Sequence, residues 1–142
     1  HKNLSADDIL SAVQSTRSRT RVFAMLDTLK YIHRSGRVSW AKARIGSLLN
    51  IKPILELKAG EVINLGMTRA RSKGIRELGN ILKSLGKLEH LAILHTNAVE
   101  DGEIFIQENV LGDKHETLLV NVTTIIGTHV GPNGLGFAAV VK

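Results

Sequence analysis

Apolar residues recur along this chain with two periods, about 3.6 and about 2, and the switches between them predict its elements. Ser5 followed by Asp7-Asp8, with Ile9, Leu10 and Val13 at helical spacing, predicts a helix over 5–17 that opens on a cap and two acids. Val22-Phe-Ala-Met-Leu26 is a short apolar run between Arg21 and Asp27 and reads as a strand. Asp27 or Thr28 then caps a helix over 29–34, which Ser35-Gly36 ends. A short helix over 40–48 leads into a strand over 51–57, in which Pro53 demands a strand start or an edge. Lys58-Ala-Gly60-Glu61 turns the chain back into a partner strand over 62–68, with Gly60 suited to a positive φ.

Ile75, Leu78, Ile81, Leu82 and Leu85 mark one face of an amphipathic helix over 71–85, terminated by Gly86. Residues 88–95 read as a buried strand, 98–108 as a helix, 117–122 as a strand and 135–141 as the last strand. Strands alternating with helices, plus one hairpin, predict an α/β fold: a mixed β-sheet packed with helices. There is no internal repeat, low-complexity tract or Pro-rich linker.

Length and composition narrow the class. At 142 residues and 43% hydrophobic, the chain suits a single core. No stretch approaches the roughly eighteen apolar residues of a membrane span. The start, His1-Lys2-Asn3-Leu4, has neither Met nor the apolar core of a signal peptide, as expected of a fragment. Zero Cys excludes a disulfide framework, a thiolate metal site and a cysteine nucleophile, and fits a cytoplasmic protein.

The net charge of +6 comes with basic runs at Arg17-Ser-Arg19-Thr-Arg21, Lys42-Ala-Arg44 and Arg69-Ala-Arg71-Ser-Lys73-Gly-Ile-Arg76, so an anionic partner is an open reading. Nucleic acid is disfavoured because Phe23, Tyr31, Trp40, Phe105 and Phe137 are scattered rather than interleaved with the cations. A solvated basic helix face is the simpler reading of each run.

Candidate chemistry concentrates in Gly127-Thr-His129-Val-Gly131-Pro132-Asn133-Gly134-Leu-Gly136. Glycines let backbone N–H groups approach an anion, Pro132 stiffens the segment, and His129 offers a proton donor near neutral pH. A carboxylate or phosphate suits such a loop; a tight turn between strands with an incidental His is the alternative. Arg37, after Ser35-Gly36, is a second candidate anion clamp, although a lone Arg in a connection is more often a surface residue. The sequence has no phosphate-binding GxxxxGK[ST], no GxGxxG dinucleotide fingerprint, no GxSxG elbow and no HExxH, so no cofactor and no metal are expected. His95 at a strand end could face a pocket, but reads more simply as structural; His33, His90 and His115 sit among charged neighbours. Asp7-Asp8 and Glu100-Asp101 suit helix starts better than an acid/base pair.

Four segments taken together, 27–37, Gly46-Ser-Leu-Leu-Asn-Ile-Lys-Pro-Ile-Leu55, Thr68-Arg69-Ala-Arg71 and Gly127-Thr-His129-Val-Gly131-Pro132, resemble the DegV family over essentially the whole chain. That family is similar to the fatty-acid-binding (FakB) subunits of bacterial fatty acid kinase, proteins of two domains. The resemblance implies a C-terminal α/β domain over 21–142, an entering helix over 1–20, and an N-terminal domain absent from this sequence. It further implies that one long-chain fatty acid is held and presented to an ATP-binding kinase subunit that makes the acyl phosphate, the protein itself being no enzyme. By the match, His129 hydrogen-bonds the carboxylate, Arg37 meets the phosphoryl group or the kinase, and Leu48, Leu49, Ile51 and Ile54 are candidates to line the tail, though any core would use them too. Gly127, Gly131, Pro132 and Gly134 would form the anion loop. The chain departs from the family where Asn133 stands for a common Gly and Ser35 for the first Gly of Gly-Gly-Arg. Two other readings remain: a small-anion enzyme using His129, and a nucleic-acid-binding domain using the basic runs.

Overall fold

The computed structural model describes residues 4–36, 38, 50–110 and 117–142. Helix α1 (Ala6–Arg19) starts as the acids predict: the Ser5 hydroxyl accepts the Asp8 N–H while the Asp8 carboxylate accepts the Ser5 N–H at 3.0 Å, a reciprocal cap. None of its residues is buried. Strand β1 (Thr20–Met25) follows at once, then α2 (Lys30–Arg34), which ends at Gly36 with φ +67°. The expected cap of α2 is shared differently. The Thr28 hydroxyl accepts the Lys30 N–H, whereas the Asp27 carboxylate is engaged by cations. The helix expected over 40–48 lies outside the described residues, as do Arg37, Leu48, Leu49, the Lys42-Ala-Arg44 run and His115.

Strands β2 (Lys52–Lys58) and β3 (Glu61–Thr68) form the expected hairpin, with Ala59 and Gly60 both at positive φ in the turn. Pro53 stands second in β2, a strand start and not an edge, since β2 lies between β3 and β1. Then come α3 (Arg71–Ser84), β4 (Leu88–His95), α4 (Val99–Asn109), β5 (Thr117–Asn121), α5 (Thr124–Val130) and β6 (Leu135–Val141). The six strands make one sheet in the order β3-β2-β1-β6-β4-β5. Every neighbouring pair is antiparallel except β4 and β5, which α4 joins as a parallel crossover.

Strand alternation divides the sheet's side chains between two faces. Phe23, Met25, Ile54, Leu91, Ile93, Phe137 and Ala139 pack with Leu78 and Leu82 of α3 and Phe105 of α4 into the main core. Phe23 and Phe105 both pack against the Phe137 ring, with centroids at 5.2 and 6.4 Å. On the other face a smaller cluster gathers Leu26, Leu29, Ile32, Val38 and Leu55 under α2. There α5 packs against α2, and the rest of the face has no helix over it among the described residues.

Helix α5 corrects the sequence reading, which placed Gly127 and His129 in a loop. Thr-Ile-Ile-Gly-Thr-His-Val is a poor helix former, rich in β-branched residues, and makes only two turns. Tertiary contacts hold it: Gly131, with φ +78°, lies against the Tyr31 ring of α2 so closely that a Cβ there would overlap the ring.

Candidate functional site

The partly covered face carries a cleft of about 450 Å³. Its floor is the middle of the sheet, where Ala24 of β1 pairs with Gly136 of β6, and Leu55 and Leu94 flank them. A Cβ on Gly136 would strike the Phe23 carbonyl and Ala24, so close strand approach requires glycine there and keeps the floor low. Val62 and Leu57 close one side; Ile125, Ile126, His129 and Val130 of α5 close the other. Much of this lining faces outward: Leu57 is 49% and Ile125 73% exposed.

Three polar side chains interrupt the apolar wall: His95, Thr96 and His129. Thr96 is saturated. Its hydroxyl donates to the Gly131 carbonyl at 2.6 Å and accepts the Gly134 N–H at 2.7 Å, while its backbone accepts the Asn133 N–H and donates to the Gly134 carbonyl. His129 is the opposite case. Its Nδ1 is buried and has no hydrogen-bond partner among the described residues. Leaving such an atom unpaired costs on the order of 1–3 kcal/mol.

The glycine segment therefore works differently from an anion nest. Gly127 is inside α5. The Gly131 N–H donates to the Gly127 carbonyl, Asn133 and Gly134 donate to Thr96, and Pro132 has no N–H. No backbone donor from 131 to 134 is left for an anion, and the segment instead fixes the end of α5 that carries His129. Asn133 adopts φ +60°, as its tolerance of that region allows. Thr96, which ties this joint, is not singled out by the sequence; a Thr at a strand's C-terminal end carries no motif.

The tail-lining expectations fare unevenly. Ile54 is buried in the main core beneath α3, on the wrong face, and Leu55 lines the cleft in its place, because adjacent strand residues point to opposite sides. Ile51 packs against the smaller cluster beside the cleft.

Behind the joint lies a charged knot. Arg71, at the start of α3, donates from Nη1 to the Asn133 carbonyl at 2.7 Å and lies 3.3 Å from Asp27, while its Nε bonds Asp101 at 3.0 Å. Lys52 also pairs with Asp27 at 2.5 Å. Partial burial pushes the Asp27 carboxyl up, but the Lys52 hydrogen bond and the charges of Lys52 and Arg71 outweigh it and hold the group below the ordinary carboxylate range. Elsewhere Arg19 pairs with Glu89, and Arg21 with Glu56. The basic runs thus contribute several cations to internal pairs, which weakens the nucleic-acid reading.

Three comparisons bear on this site. The family model described as "Uncharacterised protein, DegV family" matches residues 1–142. Protein DegV of Bacillus subtilis (strain 168) is 32% identical over 136 residues, covering 93% of this chain and 48% of that protein. Among solved structures, the fatty acid binding DegV family protein SAG1342 from Streptococcus agalactiae superimposes with a TM-score of 0.87 at 27% identity, over 99% of this chain and 51% of that one. The Streptococcus pneumoniae fatty acid kinase (Fak) B3 protein, loaded with linoleic acid, superimposes with a TM-score of 0.83 at 14% identity, over 99% and 51%, and shows the shared fold alone. The chain spans about half the length of the curated relatives it matches.

Proposed function

The chain belongs to the DegV family, and from that premise we propose that it forms the C-terminal domain of a two-domain fatty-acid-binding protein, with the acid's tail in the cleft and its carboxylate at His129. The observation that carries this reading is an apolar cleft whose wall includes His129, a residue with a buried ring nitrogen that has no partner among the described residues. A volume of about 450 Å³ falls within the roughly 300–1,000 Å³ of ligand pockets, and an apolar wall with a few convergent polar groups is the usual recipe for one. Each methylene taken out of water contributes about 0.8 kcal/mol, so a tail supplies affinity in proportion to how fully it is enclosed. The exposed lining at Leu57 and Ile125 leaves that enclosure incomplete, and the other half of the protein completes it.

His129 does the recognition. Its ring supplies a hydrogen bond to a carboxylate oxygen, stronger than a neutral one because the acceptor is charged. Thr96 and the 131–134 segment hold α5 so that the ring stays in place. The protein breaks no bond itself: it presents the carboxylate to an ATP-binding kinase subunit, which transfers a phosphoryl group to a carboxylate oxygen. Arg37 is the residue assigned to the phosphoryl group or the kinase; support comes from a guanidinium's fit to phosphate and from the matched segment around it.

Titration of the two-domain protein with a saturated C16 acid, its C6 homologue and the C16 methyl ester tests the proposal. The long acid is expected to bind best, the short acid losing tail burial and the ester losing the charged head. Equal binding of C6 and C16 acids would refute the cleft as a tail site. Arg37→Ala is expected to leave this affinity unchanged and to slow acyl phosphate formation with the kinase present.

A further inference from the structure

His95 ends β4 on the cleft wall and is 6% exposed. Its Nδ1 accepts the Ala98 N–H at 3.2 Å, at the entry to α4. Because a backbone N–H only donates, that ring nitrogen is an acceptor, and the neutral ring carries its proton on Nε2. Nε2 has no partner among the described residues. It is not among the buried unpaired polar atoms, and on the cleft wall it is free to donate to an acceptor that enters.

The chain path brings this donor to the end of the cleft where His129 lies. The His95 carbonyl accepts the Val122 N–H at 2.9 Å just before α5 begins, and Thr96, its neighbour, binds Gly131 and Gly134 just after α5 ends. A seven-residue helix spans about 10 Å, and this one leaves from and returns to residues 95 and 96, with His129 in its last turn.

We propose that His95 is a second head-group residue, its Nε2–H donating to the carboxylate that His129 also binds. The inference rests on the fatty-acid reading above. A carboxylate offers two oxygens, so two imidazoles from opposite sides of one joint hold it by both and fix its orientation for attack on a phosphoryl donor. Thr96 between them has no free donor to offer a carboxylate and acts as the spacer.

Two substitutions in the two-domain protein separate this role from a purely structural one. In His95→Asn the amide oxygen can still accept from Ala98, but nothing replaces Nε2. In His95→Gln the longer amide reaches the Nε2 position and gives up the Ala98 bond. Affinities for the C16 acid and its methyl ester, measured beside thermal midpoints, are the readout. His95→Asn is expected to lose about tenfold for the acid and little for the ester, with a midpoint near the parent's; His95→Gln is expected to keep the parent's acid-to-ester ratio at a lower midpoint. An unchanged ratio in His95→Asn, or a parallel fall for both ligands, would overturn the role of His95 while leaving the fatty-acid reading intact, provided His129→Ala still weakens the acid. A parent protein that binds neither ligand would overturn the fatty-acid reading itself.

Discussion

The two faces of the sheet are built from alternate residues of the same strands, yet among the described residues one is closed by helices and the other is largely open. Beneath α3 and α4, Phe23, Met25, Ile93, Phe105 and Phe137 are almost wholly removed from water. Across the sheet, Ala24 and Gly136 leave the centre low, and Leu57, Leu118, Ile125 and Ile126 remain exposed around it. The first is covered by this chain's own helices; over much of the second no helix lies among the described residues, and in the reading proposed above a fatty acid and the other half of the protein cover it.

Substitutions that should behave oppositely on the two faces test the contrast. The largest effect belongs to the closed face. Phe105→Ala removes a fully buried ring from between α4 and the sheet and is expected to cost about 3–5 kcal/mol by urea denaturation. Leu57→Ala on the open face is expected to change stability by less than about 1 kcal/mol, while weakening lipid binding. Next comes His129→Ala in the two-domain protein, expected to weaken acid binding by about 1.5–3 kcal/mol in a competition titration, with little change in stability because Nδ1 has no partner among the described residues. Ala24→Leu raises the cleft floor; mixed-chain competition followed by extraction should show the preferred acid shortening, and an unchanged preference would place the tail elsewhere.

The smallest effect lies in the charged knot behind the joint. The Asp27 carboxyl is held below its unfolded value, so the stability it contributes is present above about pH 4 and is lost as pH falls through the lowered folded value. Asp27→Asn should therefore lower stability at neutral pH and shallow its decline in acid, as followed by urea midpoints between pH 6 and pH 2.

The strands and the two long helices that build the closed face were legible in the sequence, because their apolar residues follow the expected periods and recognisable ends such as Gly60 and Gly86 bound them. The open face was harder to read. Helix α5 depends on Tyr31 and Thr96 more than on its own residues, so local pattern read it as loop, and with it the anion-nest idea for Gly131 to Gly134. Ile54 and Leu55 are equivalent in composition and differ only in which way the strand turns them. His129 stood out in the sequence through its motif, and His95 at a strand end was readable as able to face a pocket, as its place on the cleft wall bears out; Thr96 carried no signal, since its contacts arise from segments that meet only at the end of β4.

The most direct test of the central claim is mass spectrometry of organic extracts from the two-domain protein, its His129→Ala variant and the 142-residue chain alone, purified in parallel. The account predicts close to one fatty acid per molecule in the first, less in the second and little or none in the third, where the tail lacks its cover. No lipid in the two-domain protein, or equal lipid in all three samples, would contradict it.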